Sequence, residues 1–285
     1  MERIKLENKI IACMVVKNES DIVKYTIEEA LTWADHIVIL DNNSTDGTKE
    51  IVSKLSKEEP RIIFWGVYGG AFRDSLRSII YNDYQHLGNG RDWWCRLDAD
   101  EVYIDNPRDF LKELPENVDH VYSASFQYYL TQPTIDNINA ADKQFNPNNY
   151  KYYKCDWSEI RFFRTNINTF WPLHFANPLF MIEPSDKRIR LKHFQHRDVH
   201  QMQKRFNSRK PEPGRNLFSH ELKHNKIWKV EDLVYDNGVY IYNDSDLPLI
   251  KKRNYFLKKI IQLIPSLMRK LALERVLLPT KEKIQ

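Results

Sequence analysis

The sequence predicts an α/β protein: a mostly parallel central sheet flanked by helices, with a helical C-terminal extension. Three observations carry this. Ile10–Val16 is a continuous apolar run rich in β-branched residues, the pattern of a strand covered on both faces. Strand and helix patterns then alternate over the first hundred residues, a rhythm that implies right-handed crossovers and parallel pairing. Finally, the hydrophobic strand Trp93–Leu97 runs straight into Asp98, Ala99, Asp100 and Glu101, three carboxylates within four residues.

Taken in order, the first strand ends at Lys17, Asn18, Glu19 and Ser20. Ile22, Thr26, Ile27, Ala30, Leu31 and Ala34 then recur at helical spacing, with Ser20 or Asp21 placed to cap the first turn. Residues 37–40 form a second strand, followed by a polar turn over 41–48 and a helix carrying Ile51, Val52 and Leu55. Residues 61–68 read as a third strand and residues 73–87 as a helix with Leu76, Ile79, Ile80, Tyr84 and Leu87 inward. After the carboxylates, Asp105, Asn106 and Pro107 have the cap-then-proline signature of a helix start, and residues 121–130 alternate like a strand. Residues 131–154 turn polar and tyrosine-rich, with an evident loop at 146–150 that is either a lid over the site or mere decoration. Residues 1–205 are expected to form the main domain, in two halves, 1–101 and 102–205, with 206–285 as the extension.

A chain of 285 residues has the length to bury a real core, and 42% hydrophobic with 29% charged residues is a globular composition. The net charge of +4 suits an anionic small molecule or a membrane surface and is too diffuse for nucleic acid. Cys13, Cys95 and Cys155 are far apart, which excludes a cysteine zinc cluster and implies a reducing, cytosolic setting. Residues 1–9 are too charged for a secretory signal, and no segment approaches a membrane span.

The chemistry is expected at the carboxyl ends of the parallel strands, where Lys17, Asn18, Asp41 and Asp98 fall. If the strand continues, Asp98 and Asp100 share a face and converge on one hard divalent cation, Mg²⁺ or Mn²⁺. The alternative is a solvated acidic turn.

At this point three ordered motifs carry a resemblance: Met14-Val15-Val16-Lys17-Asn18-Glu19, Asp41-Asn42-Asn43-Ser44-Thr45-Asp46-Gly47-Thr48, and Asp98-Ala99-Asp100-Glu101. Together they are similar to those of family 2 glycosyltransferases with the GT-A fold, strongly over about residues 8–130. The resemblance implies a nucleotide-sugar donor, foremost a UDP-sugar, a Mn²⁺ or Mg²⁺ ion, and inversion at the anomeric carbon. It implies that Asp41 contacts the base or ribose, that Asp98 and Asp100 serve the ribose and the metal-diphosphate, and that Arg77 contacts the donor, with Arg73 its rival. Lys17, Asn18 and Glu19 are secondary donor-site candidates.

Inversion needs a base for the acceptor hydroxyl. Glu159 is the first candidate and Asp156 the second; the competing reading pairs Glu159 with Arg161 or Arg164 in a structural bridge. His193, His196 and His200 lack partners at zinc spacing. The resemblance instead gives His193 a place closing the metal site, with His196 as runner-up. Residues 202–210 read as a basic helix. Residues 250–278 mix apolar and basic side chains at helical spacing, which fits peripheral contact with an anionic inner membrane face, packing on the chain's own domain, or association with a second subunit. Expected overall is a cytoplasmic, inverting transferase acting on a glycan or glycolipid. The alternatives are a sugar-phosphate nucleotidylyltransferase, or a non-catalytic carbohydrate-binding protein of the same fold.

Overall fold

The computed structural model describes residues 8–140, 145–165, 169–173, 175–179, 181–208 and 240–241. The chain divides into two compact units, one formed by residues 1–124, 158–191 and 251–285, the other by residues 125–157 and 192–250.

The first unit is built on the expected parallel sheet. Strands β1 (Ile10–Val16), β2 (His36–Asp41), β3 (Ile62–Val67) and β4 (Trp93–Leu97) lie in the order β3-β2-β1-β4, every pairing among them parallel. Helices α1 (Val23–Ala30), α2 (Thr48–Glu58) and α3 (Arg77–Tyr84) connect them, α3 flanked by single 3₁₀ turns at 74–76 and 85–87. Successive residues of β1 point to opposite faces. Ile10, Ala12, Met14 and Val16 pack in one core with α1 residues Val23 and Ile27, while Ile11, Cys13 and Val15 pack in a second with α3 residues Ile79 and Ile80. Both faces of β1 are therefore covered, which is why its sequence is continuously apolar.

Strand β5 (Glu101–Tyr103) follows β4 after a turn, and α4 (Pro107–Lys112) follows that. Asn106 caps α4 through its side chain, accepting from Arg108 N at 2.9 Å, with Pro107 at the first helical position as expected. Strand β6 (His120–Tyr128) is divided between the units; its first residues pair antiparallel with β8 (Ile160–Arg164), which pairs antiparallel with β4. One expected detail is not formed: α1 has no side-chain cap, and the backbone N–H of Ile22 and Val23 donate to Glu19 O instead.

In the second unit the end of β6 pairs with β7 (Tyr152–Trp157), which pairs with the short strand β10 (Tyr240–Ile241). Residues 131–154, a polar stretch in which the sequence marked a loop only at 146–150, contain helix α5 (Gln132–Ala140). Its start is marked by Ile135 N donating to Thr131 O at 3.0 Å, by the two hydroxyls of Thr131 and Thr134 at 3.1 Å, and by Pro133 in the first turn. The polar composition hid this helix. Rings fill the unit's core: Phe126 and Tyr153 have centroids 5.1 Å apart, and Tyr128 and Phe194 5.0 Å. Strand β9 (Ile189–His193) ends at the unit boundary, and helix α6 (Val199–Ser208) is the basic helix expected from 202. Among the described residues no helix is long and apolar enough to cross a membrane. The expected extension 206–285 lies, apart from 206–208 and 240–241, outside the described residues, as does the whole of 250–278.

Candidate active site

The register of the sheet sets the site. Val16 pairs with Asp41 and Met14 with Leu97, so the carboxyl ends of β1, β2 and β4 lie side by side. The residues just past those ends are the ones singled out from sequence.

The loop after β1 is spent on the loop after β2. Asn18, in the left-handed region at φ 55°, donates its N–H to Ser44 Oγ at 2.9 Å and accepts from Thr45 N at 2.8 Å through Oδ1. The N–H groups of Glu19 and Ser20 donate to Thr48 Oγ1 and Asp46 Oδ2 at 2.9 and 3.1 Å. Asparagine suits that backbone because its short polar side chain tolerates positive φ. Asn18 and the Glu19 backbone thus brace the two loops against each other. Lys17 is half-buried at the end of β1.

Asp41, the last residue of β2, is fully buried. Its Oδ1 accepts from Ser44 N at 2.8 Å, closing the turn, and its Oδ2 has no partner. Asn42 beside it donates through Nδ2 to Tyr68 O and Gly70 O at 2.9 and 2.8 Å, tying β2 to the loop after β3. A buried acceptor without a donor costs roughly 1–3 kcal/mol, so Asp41 Oδ2 marks a place where a ligand N–H or O–H would be repaid.

Asp98 and Asp100 are not alternate residues of a strand. Strand β4 ends at Leu97, and Asp98 opens a turn in which Glu101 N donates to Asp98 O at 3.3 Å. The expected common strand face is therefore replaced by a turn between β4 and β5. Asp98 is partly exposed and held by two arginines: Arg77 Nη2 donates to Oδ1, and Arg161 Nη2 lies 2.9 Å from Oδ2. Of the two arginines weighed from sequence, Arg77 is the one on Asp98. It is buried at the first residue of α3.

Arg161, on β8, was expected only as a bridge partner of Glu159, not as a partner of Asp98 and Glu101. It is buried among Asp98, Glu101 and Glu159, and Arg96 beside it donates through Nη1 to Ile160 O at 3.0 Å and Asn177 Oδ1 at 2.9 Å. Burial opposes the charge of Arg161, but the three carboxylates outweigh it and hold its pKa well above the usual value. Burial and the neighbouring Arg77 push Arg96 down, against the pull of Glu159. Glu159 is one-third exposed, 3.5 Å from Arg161 Nη1 and 3.9 Å from Arg96 Nη2. The bridge to Arg161 anticipated as its alternative role is present; that does not remove it from solvent. All three cysteines are free and buried, and burial pushes the Cys95 thiol up to about 12, which leaves it inert.

The backbone of Asp156 lies in β7; its side chain falls outside the described residues. His193 ends β9 in the second unit, half-buried. His196, the runner-up, stacks on Tyr129 with centroids 5.4 Å apart and sets Nδ1 2.9 Å from Met202 Sδ. Among the described residues no group of three or more His, Cys, Asp and Glu side chains is gathered as a closed metal site would require. Asp98 and Asp100 nonetheless offer the hard oxygen donors that suit Mg²⁺ or Mn²⁺, which ordinarily takes one or two carboxylates and completes its shell with phosphates and water. Both oxygens of Asp98 are already engaged by Arg77 and Arg161, so an ion there would share the turn with two guanidiniums.

With this geometry in place, the likenesses to known proteins are informative. Residues 11–65 match the sequence model of Glycosyl transferase family 2. The chain is 32% identical over 116 residues to the succinoglycan biosynthesis protein ExoA of Rhizobium meliloti (strain 1021), covering 38% of this chain and 31% of that protein. It is 29% identical over 122 residues to the uncharacterized glycosyltransferase RC0292 of Rickettsia conorii (strain ATCC VR-613 / Malish 7), covering 43% and 37%. The matched region thus spans about a third of the length of each relative. Among solved structures, the mannosyltransferase PcManGT of Pyrobaculum calidifontis, in complex with GDP-Man and Mn²⁺, aligns with a TM-score of 0.33 at 14% identity over 45% of this chain and 37% of that one. TarS of S. aureus aligns at 0.37 and 12% identity over 70% and 39%. Likenesses that distant say nothing of function. The family match and the two sequence relatives make the N-terminal part of the chain similar to glycosyl transferase family 2.

Proposed function

We propose that this protein is an inverting glycosyltransferase that moves a sugar from a nucleoside diphosphate, foremost a UDP-sugar, to a hydroxyl of a glycan or glycolipid. The observation that carries the reading is the convergence at the carboxyl ends of β1, β2 and β4: a buried carboxylate with an unspent acceptor at Asp41, beside an acidic turn whose Asp98 is fixed by two guanidiniums. The succinoglycan relative supports a surface polysaccharide as the acceptor class.

Each residue has a task in this reading. Asp41 Oδ2 accepts from an N–H of the base or a hydroxyl of the ribose. Asp98 and Asp100 would hold Mn²⁺ or Mg²⁺, which when bound neutralises the charge growing on the leaving diphosphate. Arg77 adds cationic character at the same place, Arg73 standing as its alternate and Lys17 nearby on the β1 loop. Glu159, or Asp156 in its stead, takes the proton of the acceptor hydroxyl, and attack opposite the leaving group inverts the anomeric carbon. The protein is read as acting on the cytoplasmic side, and the basic stretch 250–278 is left with three roles: packing on the chain's own domain, association with a second subunit, or peripheral contact with an anionic inner membrane face.

The nucleotidylyltransferase alternative needs free backbone N–H groups after β1 to cradle phosphates. Those of Asn18, Glu19 and Ser20 are already donated to Ser44, Thr48 and Asp46, which disfavours it. A calorimetric titration of UDP and GDP, with Mn²⁺ and with chelator, coupled to a hydrolysis screen over several nucleotide sugars, tests the proposal. Metal-dependent binding and slow release of free sugar are expected. Binding of neither nucleotide would remove the reading, and binding without hydrolysis or transfer would favour the non-catalytic carbohydrate-binding alternative.

A further inference from the structure

Arg161 is a guanidinium shared by three carboxylates. Its Nη2 donates to Glu101 Oε1 and lies 2.9 Å from Asp98 Oδ2, while Nη1 lies 3.5 Å from Glu159 Oε2. A cation with only 2% of its surface exposed is stable only where carboxylates surround it with good geometry, and here they do. The members differ in what they can touch. Glu101 is 1% exposed and faces inward to Arg161, whereas the Asp98 side chain keeps 28% of its surface. Asp98 is also gripped at both oxygens, by Arg77 on Oδ1 and Arg161 on Oδ2. One guanidinium on one oxygen would let the carboxylate swing about its Cβ–Cγ bond. Two on separate oxygens fix its plane.

We propose that Glu101 and Arg161 are positioning residues for the nucleotide-sugar site: Glu101 anchors Arg161, and Arg161 together with Arg77 sets the plane and charge of Asp98. Neither meets the donor. The third carboxylate of the acidic run is therefore an internal counter-ion rather than a metal ligand, and β8 contributes to donor binding through a residue that touches no donor atom. Arg161 also places Glu159 in the same charge network, so the acceptor side and the donor side share one cation. This rests on Asp98 being a donor contact, as proposed above.

The alternative is that the pair only holds β4, β5 and β8 together. Arg190 supplies the comparison, because it binds Asp105 through Nε at 2.9 and 3.0 Å and through Nη2, in the same unit, and has no assigned part in the site. Four full-length proteins decide between the two: wild type, Arg161→Lys, Glu101→Gln and Arg190→Lys. Each is titrated with UDP and Mn²⁺ at a temperature where its own melting curve shows it folded. Lysine keeps the charge but, as a point donor, cannot reproduce the planar fork. Arg161→Lys and Glu101→Gln are expected to weaken nucleotide binding by about tenfold or more, and Arg190→Lys to lower Tm while leaving Kd within about twofold. Arg77→Lys combined with Arg161→Lys should lose less than the two single losses multiplied, because both act through one carboxylate.

Nucleotide affinity within about twofold of wild type in folded Arg161→Lys overturns the proposal, as does an equal loss in Arg190→Lys. Should Arg161→Lys not fold, the near-isosteric Glu101→Gln decides by the same limit. Wild-type protein that binds neither UDP nor GDP overturns the glycosyltransferase reading and this proposal together; wild-type binding with unaffected variants overturns the positioning role alone.

Discussion

The two ends of the parallel sheet use carboxylates in opposite ways. At the amino ends, Asp92 accepts from the backbone N–H of Lys9 at 2.9 Å and of Asn89 at 2.7 Å, and Asp35 Oδ2 accepts from Ile10 N at 2.7 Å and Arg108 Nη2 at 2.9 Å. At the carboxyl ends, Asp41 keeps one buried oxygen without a donor, and Asp98 is held by side chains from α3 and β8. A carboxylate satisfied by main-chain N–H groups closes a turn and cannot be recruited without undoing that turn. One carrying an unspent acceptor gains from a ligand. The same residue type after a strand or before it thus reads as site or as staple according to who its donors are.

The sharpest way to break this contrast is at the acidic turn. Asp100→Ala is expected to abolish Mn²⁺-dependent UDP binding, a loss of about a hundredfold or more, with the melting temperature largely kept. The check is titration beside a melting curve. Unchanged affinity would remove Asp100 from the site and leave the turn merely acidic.

Next in size is the proton acceptor. Glu159 is held by side-chain cations yet reaches solvent, so Glu159→Gln should leave UDP affinity nearly intact and slow turnover by about a hundredfold, the scale for loss of a general base. Should Asp156→Asn show that pattern instead, the two exchange roles. If neither slows turnover, the base lies elsewhere.

Asp41→Asn and Asp92→Asn test the contrast directly. Turning an amide donor toward the ligand at Asp41 should weaken UDP binding by about tenfold or more, whereas Asp92→Asn should cost about 1–2 kcal/mol of stability and leave Kd alone. Equal effects on nucleotide binding would mean that both ends of the sheet serve the ligand.

How far the sequence alone reaches follows the same physics. The strands β1, β2 and β4 were legible because burial on both faces imposes apolar runs, and α4 because Asn106 and Pro107 mark a start locally. Helix α5 was not, since its Thr131 and Pro133 start sits in a polar stretch with few apolar residues to set a period. Asp41 and Asp98 stood out because strand ends concentrate function. Arg161 did not, because its partners Asp98 and Glu101 lie 63 and 60 residues away and nothing local announces a buried cation. The break in strand geometry at Asp98 was equally invisible: Leu97-Asp98-Ala99-Asp100 alternates as well as a strand, and only the Glu101 N–H to Asp98 O bond turns it.

The smallest expected effect lies between the two classes. Asp46, next to the start of α2, accepts from Ser20 N at 3.1 Å, Thr48 N at 3.1 Å and Thr48 Oγ1 at 2.5 Å. Burial pushes its pKa up, but these hydrogen bonds outweigh burial and hold it below the usual carboxylate value. A carboxylate depressed on folding contributes stability that is fully present above its unfolded pKa, near 3.9, and is lost as pH falls through the folded value. Stability of the wild type should therefore decline below about pH 4, and Asp46→Asn, already missing the charge, should start lower at neutral pH and decline less steeply in that range. Because Asp46 braces the β1 and β2 loops without any proposed contact to the nucleotide, its UDP affinity should change far less than that of Asp41→Asn. Denaturant titrations from neutral pH to about pH 2 compare the two slopes; parallel curves would show that Asp46 contributes nothing to acid sensitivity, and a loss of affinity matching Asp41→Asn would move it from brace to site.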